Sequence, residues 1–187
     1  MKGVIFRSFL DHVGQTYGEN ITEQLILNCN LSSGGAYTSV GTYDTGELLS
    51  LISGLTDLTG TESTSIVKNF GKALFPILVE KYPSVVQHAN NAFELISSVD
   101  NHIHIEVLKL YPDAGLPTFS PELKSPTCMW LKYDSERGLP ELAEGLLQGC
   151  IDYFGEEVEI EWQDLSGGAK THVLFKLQKK EQVNGYS

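Results

Sequence analysis

Cysteine is scarce in this chain of 187 residues: Cys29, Cys128 and Cys150 are the only three. They are odd in number, far apart and form no CxxC pair, which argues against a disulfide framework and against a zinc site built from them. The expected setting is a reducing, cytoplasmic one, with the thiols packed as small apolar groups. Basic residues are also few. Thirteen Lys and Arg stand against 24 Asp and Glu, so the net charge is -11 and the pI about 4.8. That balance argues against nonspecific binding to nucleic acid or to an anionic membrane surface. No apolar run is long enough to span a membrane. Arg7 and Asp11 interrupt the N-terminal stretch too early for a secretory signal.

What the chain does contain is enough apolar material for one core. Hydrophobic residues make up 41% and charged residues 20%, and the eight Phe, eight Tyr and two Trp can line an apolar pocket. Periodicity predicts helices over 3–17, 20–30 and 45–53, then a helix running from a hydroxyl-rich start at Thr61–Thr64 to about Tyr82, with Pro76 inside it. Residues 89–110 read as one long helix stopped by Tyr111-Pro112. Alternation predicts strands at 127–133, 158–162 and 171–177, with a helix over 139–154 between the first two. The fold class is therefore α+β: a helical N-terminal lobe packed on a C-terminal lobe with a small antiparallel sheet and a helix. One domain is expected over 1–180, followed by a polar tail at 181–187. No repeat or low-complexity segment is present.

Among five histidines, the only cluster is His102-Ile103-His104-Ile105-Glu106. As a strand, it would put His102, His104 and Glu106 on one face, a set suited to a metal-dependent hydrolase or oxygenase. As a helix, it would separate His102 from His104 by about 200°, and only one histidine could enter a pocket. Ile96, Val99, Ile103, Val107 and Leu110 recur at helical spacing, which favours the helix and makes His104, beside the apolar face, the candidate buried ligand. A half-buried imidazole bonded to a backbone carbonyl fits the same pattern.

Downstream, Tyr133, Ser135 and Arg137 occupy every second position. In an extended segment they would share a face and form a row of donors, with the Arg137 guanidinium able to grip a carboxylate bidentately. Such a row suits a ligand with two neighbouring anionic groups, and with His104 upstream it points to a haem held at its iron and its propionates. A polar strand end facing water accounts for the row equally well.

These residues, in this order, carry a resemblance to the H-NOX (haem nitric oxide/oxygen binding) family, relatives of the soluble guanylate cyclase sensor domain. Met1-Lys2-Gly3-Val4-Ile5-Phe6 is similar to the family's opening, Tyr17-Gly18 closes the first helix, and Phe70-Gly71 sits mid-helix at the usual place. His104-Ile105-Glu106-Val107, Leu110-Tyr111-Pro112 and Leu116-Pro117 resemble the proximal histidine region. Tyr133, Ser135 and Arg137 match the propionate motif, and Ala143-Glu144-Gly145-Leu146 follows. The resemblance spans about residues 1–177.

It implies haem b buried between the lobes, with His104 as axial ligand to the iron and Tyr133, Ser135 and Arg137 on the propionates. Pro117 would press on the macrocycle, Gly71 would be a flexible point in its helix, and Ile5, Phe9, Leu74, Leu78 and Leu142 would line the pocket. Oxygen-binding members of the family place a tyrosine where this chain has Leu142. The resemblance therefore implies a nitric oxide sensor that does not stabilise oxygen and also binds carbon monoxide. Nitric oxide would weaken the iron–His104 bond, and the resulting shift would be read by a separate protein, by analogy a histidine kinase or a cyclic-di-GMP enzyme. The chain would not itself be an enzyme. Some bacterial relatives carry a cysteine-rich zinc site late in the chain. Here Pro140, Leu142 and the stretch from Trp162 to Val173 supply no cysteine, so no structural zinc is expected.

Overall fold

The computed structural model of the chain describes residues 1–180, and the polar tail expected at 181–187 lies outside them. Four helices open the chain: α1 (Gly3–Tyr17), α2 (Glu19–Asn28), α3 (Thr45–Thr59) and α4 (Ser63–Lys81). Each buries a stripe at three- and four-residue spacing. From α1 come Phe6, Phe9 and Val13; from α3, Leu48, Leu51, Ile52 and Leu55; from α4, Ile66, Val67, Phe70 and Leu74. With Leu25 and Tyr37 they make the first core. A large apolar side chain buried in this way contributes about 1.5–3 kcal/mol.

Two helix boundaries differ from the sequence reading. Helix α3 continues through Gly54 and ends at Gly60, which adopts a left-handed φ of +71°. Gly54 is there for packing: a Cβ would lie 2.7 Å from Cys29 Sγ. Helix α4 begins at Ser63 with no side-chain cap, so the hydroxyls of Thr61–Thr64 do not play that part, and its helical run continues across Pro76.

The C-terminal lobe is a four-stranded antiparallel sheet in the order β1-β2-β4-β3, made by Thr118–Ser125, Cys128–Asp134, Val158–Asp164 and His172–Lys179. Strand β2 buries Met129, Leu131 and Tyr133, and β4 buries Val173, Phe175 and Leu177, so one face of the sheet enters a second core. The sequence reading contains no strand at 118–125. Strand β1 is an edge strand with Pro121 in its middle and mostly exposed side chains, so it carries no apolar alternation. Backbone pairing with β2, from Thr118 opposite Asp134 to Ser125 opposite Cys128, holds it in place.

Helix α7 (Pro140–Tyr153) joins the lobes. It packs on α4 at glycines: a Cβ on Gly145 would stand 2.1 Å from the Lys68 carbonyl oxygen, and one on Gly71 would stand 2.5 Å from the Leu142 carbonyl oxygen. Glu144 pins this crossing, accepting from Lys68 Nζ at 2.6 Å and from Trp162 Nε1 on β3 at 3.0 Å.

The single helix expected over 89–110 is three pieces. Helix α5 (Ala92–Ser97) starts at Asn91, whose side chain accepts from the Glu94 amide at 2.9 Å. A π-helical turn follows over Val99–Ile103, and α6 covers His104–Leu110. The wide turn is visible in the Ile103 amide, which reaches the Ser98 carbonyl at 3.3 Å. It is held by a tertiary contact that no helical wheel contains: Asp100 Oδ2 accepts from the Phe119 amide on β1 at 2.8 Å.

Candidate functional site

Between the lobes lies a cavity of about 370 Å³. Helices α1, α4 and α7 supply one wall with Val4, Ile5, Leu74, Phe75, Leu78, Val79, Leu142, Ala143, Leu146, Leu147 and Cys150. The only side-chain N–H, O–H or S–H on that wall is the Cys150 thiol, which points to the Ala92 carbonyl at 4.0 Å. Burial pushes that thiol's pKa up to about 12, so it stays protonated and inert.

His104 enters from the first residue of α6, where the π turn has reset the phase of the helix. It is the sole histidine among the residues lining this cavity. Burial lowers its pKa and outweighs the opposing pull of Asp100, so the imidazole is neutral at pH 7. Its Nδ1 lies 2.8 Å from Asp100 Oδ1. Among the described residues Nε2 has no protein partner.

The strand of Tyr133 ends at Asp134, and residues 135–137 form a turn closed by Gly138 at φ +58°. The row is therefore not one extended segment, yet Tyr133, Ser135 and Arg137 all line the cavity. Tyr133 is buried, its hydroxyl accepting from the Leu139 amide at 3.3 Å. Ser135 Oγ accepts from the Arg137 amide at 3.3 Å. Arg137 donates to the Gly115 carbonyl, and a Cβ on Gly115 would come within 2.9 Å of the guanidinium. Bare backbone at Gly115 is what permits that approach.

Of the remaining expected residues, Ile5, Leu74, Leu78, Leu142 and Pro117 line the cavity. Phe9 does not; it is fully buried behind the wall, edge-on to Phe70 with ring centroids 5.2 Å apart.

The structure adds residues that sequence reasoning missed. Tyr82 and Tyr111 line the cavity and share a hydrogen bond of 3.1 Å between their hydroxyls. Asp113, just after α6, is gripped by Lys2 Nζ at 2.6 Å and Thr42 Oγ1 at 2.8 Å, which ties the His104 segment to the N-terminal lobe. Asp100 was detectable in principle, since it stands one helical turn before His104.

The Lys2 bond, with that of Thr42, holds the Asp113 carboxyl at a pKa of about 2, below its ordinary 3.8. The unfolded chain therefore takes up the proton first as pH falls. The stabilising contribution of Asp113 is complete above pH 3.8 and disappears as pH approaches 2. Asp113→Asn is expected to melt below wild type at neutral pH, with the gap closing through that window. Melting temperatures of both proteins across the pH series check this, and a gap that stays constant would refute it.

The metal-enzyme reading needs a strand at 101–106, and those residues are helical. His102 faces His88, with ring centroids 5.5 Å apart, and Glu106 pairs with Lys109 at 2.5 Å. Among the described residues no three His, Cys, Asp or Glu side chains gather as a metal site.

The residues present fit a haem. A neutral imidazole with a free Nε2 is an iron ligand, and Asp100 Oδ1, buried without a well-aligned hydrogen bond, sits at its other nitrogen. The apolar wall suits a flat macrocycle, and the Tyr133, Ser135 and Arg137 cluster suits its carboxylates. Fold and site together define a haem-binding domain of the α+β class.

Comparison with known proteins agrees. The Haem-NO-binding family profile matches residues 2–162. The fold matches the Fe(II) unliganded H-NOX protein from K. algicida at TM-score 0.92 and 33% identity, covering 98% of each chain. It matches the S. oneidensis H-NOX protein in the Fe(II)NO ligation state at 0.88 and 27%, covering 97% of this chain and 100% of that one. For the IWP-051-bound H-NOX from Shewanella woodyi in the Fe(II)CO state the values are 0.83 and 36%, with 100% and 99% covered. No curated protein matches the chain. The chain belongs to the H-NOX family of haem-binding gas-sensor domains.

Proposed function

We propose that this protein senses nitric oxide at a ferrous haem b and leaves oxygen unstabilised. The observation that carries this reading is the apolar wall from α1, α4 and α7, where Leu142, Leu74, Leu78 and Ile5 offer no hydrogen-bond donor. Bound oxygen takes on negative charge and needs such a donor, whereas nitric oxide does not. Carbon monoxide binds on the same terms. Ferrous iron, when the haem is bound, supplies the gas-binding position.

The protein does the rest. His104 offers a neutral Nε2 to the iron. Arg137, Ser135 and Tyr133 would hold the propionates. Pro117, in the cavity lining, would press on the macrocycle, and Gly71 sits where α4 crosses α7, so a shift of one helix against the other would pass through that contact. Were His104 to leave the iron when nitric oxide bound, α6 would be able to shift, held back only by the tie that Asp113 makes to the N-terminal lobe. Nitric oxide biases that equilibrium by binding one state more tightly. The output passes in the cytoplasm to a separate effector, a histidine kinase or a cyclic-di-GMP enzyme by family analogy, and the domain has no catalysis of its own.

The absorption spectrum of the reduced, haem-loaded protein tests this reading. A Soret band unchanged by air and shifted by nitric oxide is expected. A stable change on exposure to air would overturn the oxygen discrimination, and failure to take up haem would overturn the reading altogether.

A further inference from the structure

We infer that Asp100 is a positioning residue that sets the strength of the His104–iron bond. The inference rests on the function proposed above. Asp100 stands four residues before His104, across the π turn, and its two carboxylate oxygens are divided between two tasks. Oδ2 takes the backbone N–H of Phe119 at 2.8 Å, fixing the carboxylate to β1. Oδ1 lies 2.8 Å from His104 Nδ1 and is otherwise buried, with no well-aligned donor.

A neutral imidazole can carry its proton on either nitrogen. A carboxylate beside Nδ1 holds the proton there, which leaves the Nε2 lone pair for the metal and makes it a stronger donor. It also fixes the rotation of the ring. Because Oδ2 is bonded to the sheet, Asp100 cannot follow His104 if the ring swings away. The contact therefore favours the attached position, since a ring that swings away takes with it the one N–H within reach of a buried carboxylate oxygen. The same tie reaches the anchoring cluster, since Phe119 pairs with Tyr133 across β1 and β2 and their rings lie 5.5 Å apart. One side chain thus couples ring orientation at His104 to the strand that positions Tyr133.

Asp100→Asn tests this at nearly constant shape, because the amide oxygen can still accept from the Phe119 N–H while the negative charge is lost. Resonance Raman of the reduced, haem-loaded proteins reads the bond directly. The iron–histidine stretch is expected to move to lower frequency in Asp100→Asn. After nitric oxide is added, a larger share of the variant is expected to have lost the histidine. Asp100→Ala, which also removes the tie to β1, is expected to retain haem about 10- to 100-fold more weakly.

A variant that fails to load is covered by a second measurement on wild type. In the diamagnetic protein loaded with haem and carbon monoxide, the His104 Nδ1 proton is expected far downfield and slow to exchange. Unchanged stretching frequency in Asp100→Asn, or an ordinary, fast-exchanging Nδ1 proton in wild type, would overturn the role of Asp100 alone. Wild-type protein that takes up no haem would overturn the proposed function and this inference with it.

Discussion

His104→Gly protein isolated without imidazole is expected to come off the column pale, with haem retention reduced by at least about 100-fold. That figure takes the upper end of what losing a group behind a metal ligand costs, because here the proposed ligand itself is removed. The size of the effect follows from the cavity, since His104 is its sole lining histidine and the α1, α4 and α7 wall offers only the inert Cys150 thiol. The Tyr82 and Tyr111 hydroxyls also line the cavity, but they are engaged with each other at 3.1 Å. Glycine leaves a space shaped like the missing ring, so millimolar imidazole in the buffer is expected to restore haem binding and a ferrous Soret band. The Arg137, Ser135 and Tyr133 cluster is untouched by the substitution, which is why rescue can succeed. The checks are haem-to-protein stoichiometry by absorption, with and without imidazole. Full haem retention by His104→Gly without imidazole would show that another residue holds the iron.

The second large effect lies where α4 crosses α7. Gly145→Ala is expected to lower stability by about 3 kcal/mol, the upper part of the usual range for overpacking. For a chain of this size that is a fall of roughly 6–12 °C in melting temperature. The added methyl would meet the Lys68 carbonyl oxygen at 2.1 Å, Gly71 Cα at 2.8 Å and the Lys72 amide nitrogen at 2.8 Å. All three are backbone, so relief requires moving a helix rather than turning a rotamer. Gly14→Ala in α1 is the control, since its nearest obstacle at 2.9 Å is the end of the flexible Glu19 side chain. There the better helix propensity of alanine is expected to offset the contact. Thermal melts followed by circular dichroism compare the three proteins. Equal melting of Gly145→Ala and wild type would mean that the helices do not approach so closely. Moving α7 also moves Leu142, so the same substitution is expected to disturb gas binding in protein that still folds.

How far the sequence speaks for the site differs residue by residue. Leu142 and Leu74 sit on well-formed amphipathic helices and their inward direction is legible from spacing, whereas Ile5 enters only through the family resemblance. Phe9 obeys the same spacing, but it is directed into the core against Phe70 instead of the cavity. Periodicity defines which face is buried and is silent on what that face is buried against. Spacing alone makes the Tyr133, Ser135 and Arg137 row one extended face. The chain turns after Asp134, and the three side chains converge because Gly138 adopts a positive φ and Gly115 leaves room for the guanidinium.

The sequence by itself determined the amphipathic helices, the alternating strands around Leu131 and Phe175, the acidic surface and the chemistry of His104 and Arg137. Those are properties of residues and of neighbours three or four positions apart. Tertiary structure alone decided the edge strand β1, the π turn before His104, the glycine crossing of α4 and α7 and the bond from Phe119 to Asp100. The β1 pairing, the glycine crossing and the Asp100–Phe119 bond each depend on backbone groups meeting from distant parts of the chain. Every residue carries a main-chain carbonyl and every residue but proline a main-chain N–H, so no pattern of side chains records where these groups will be used.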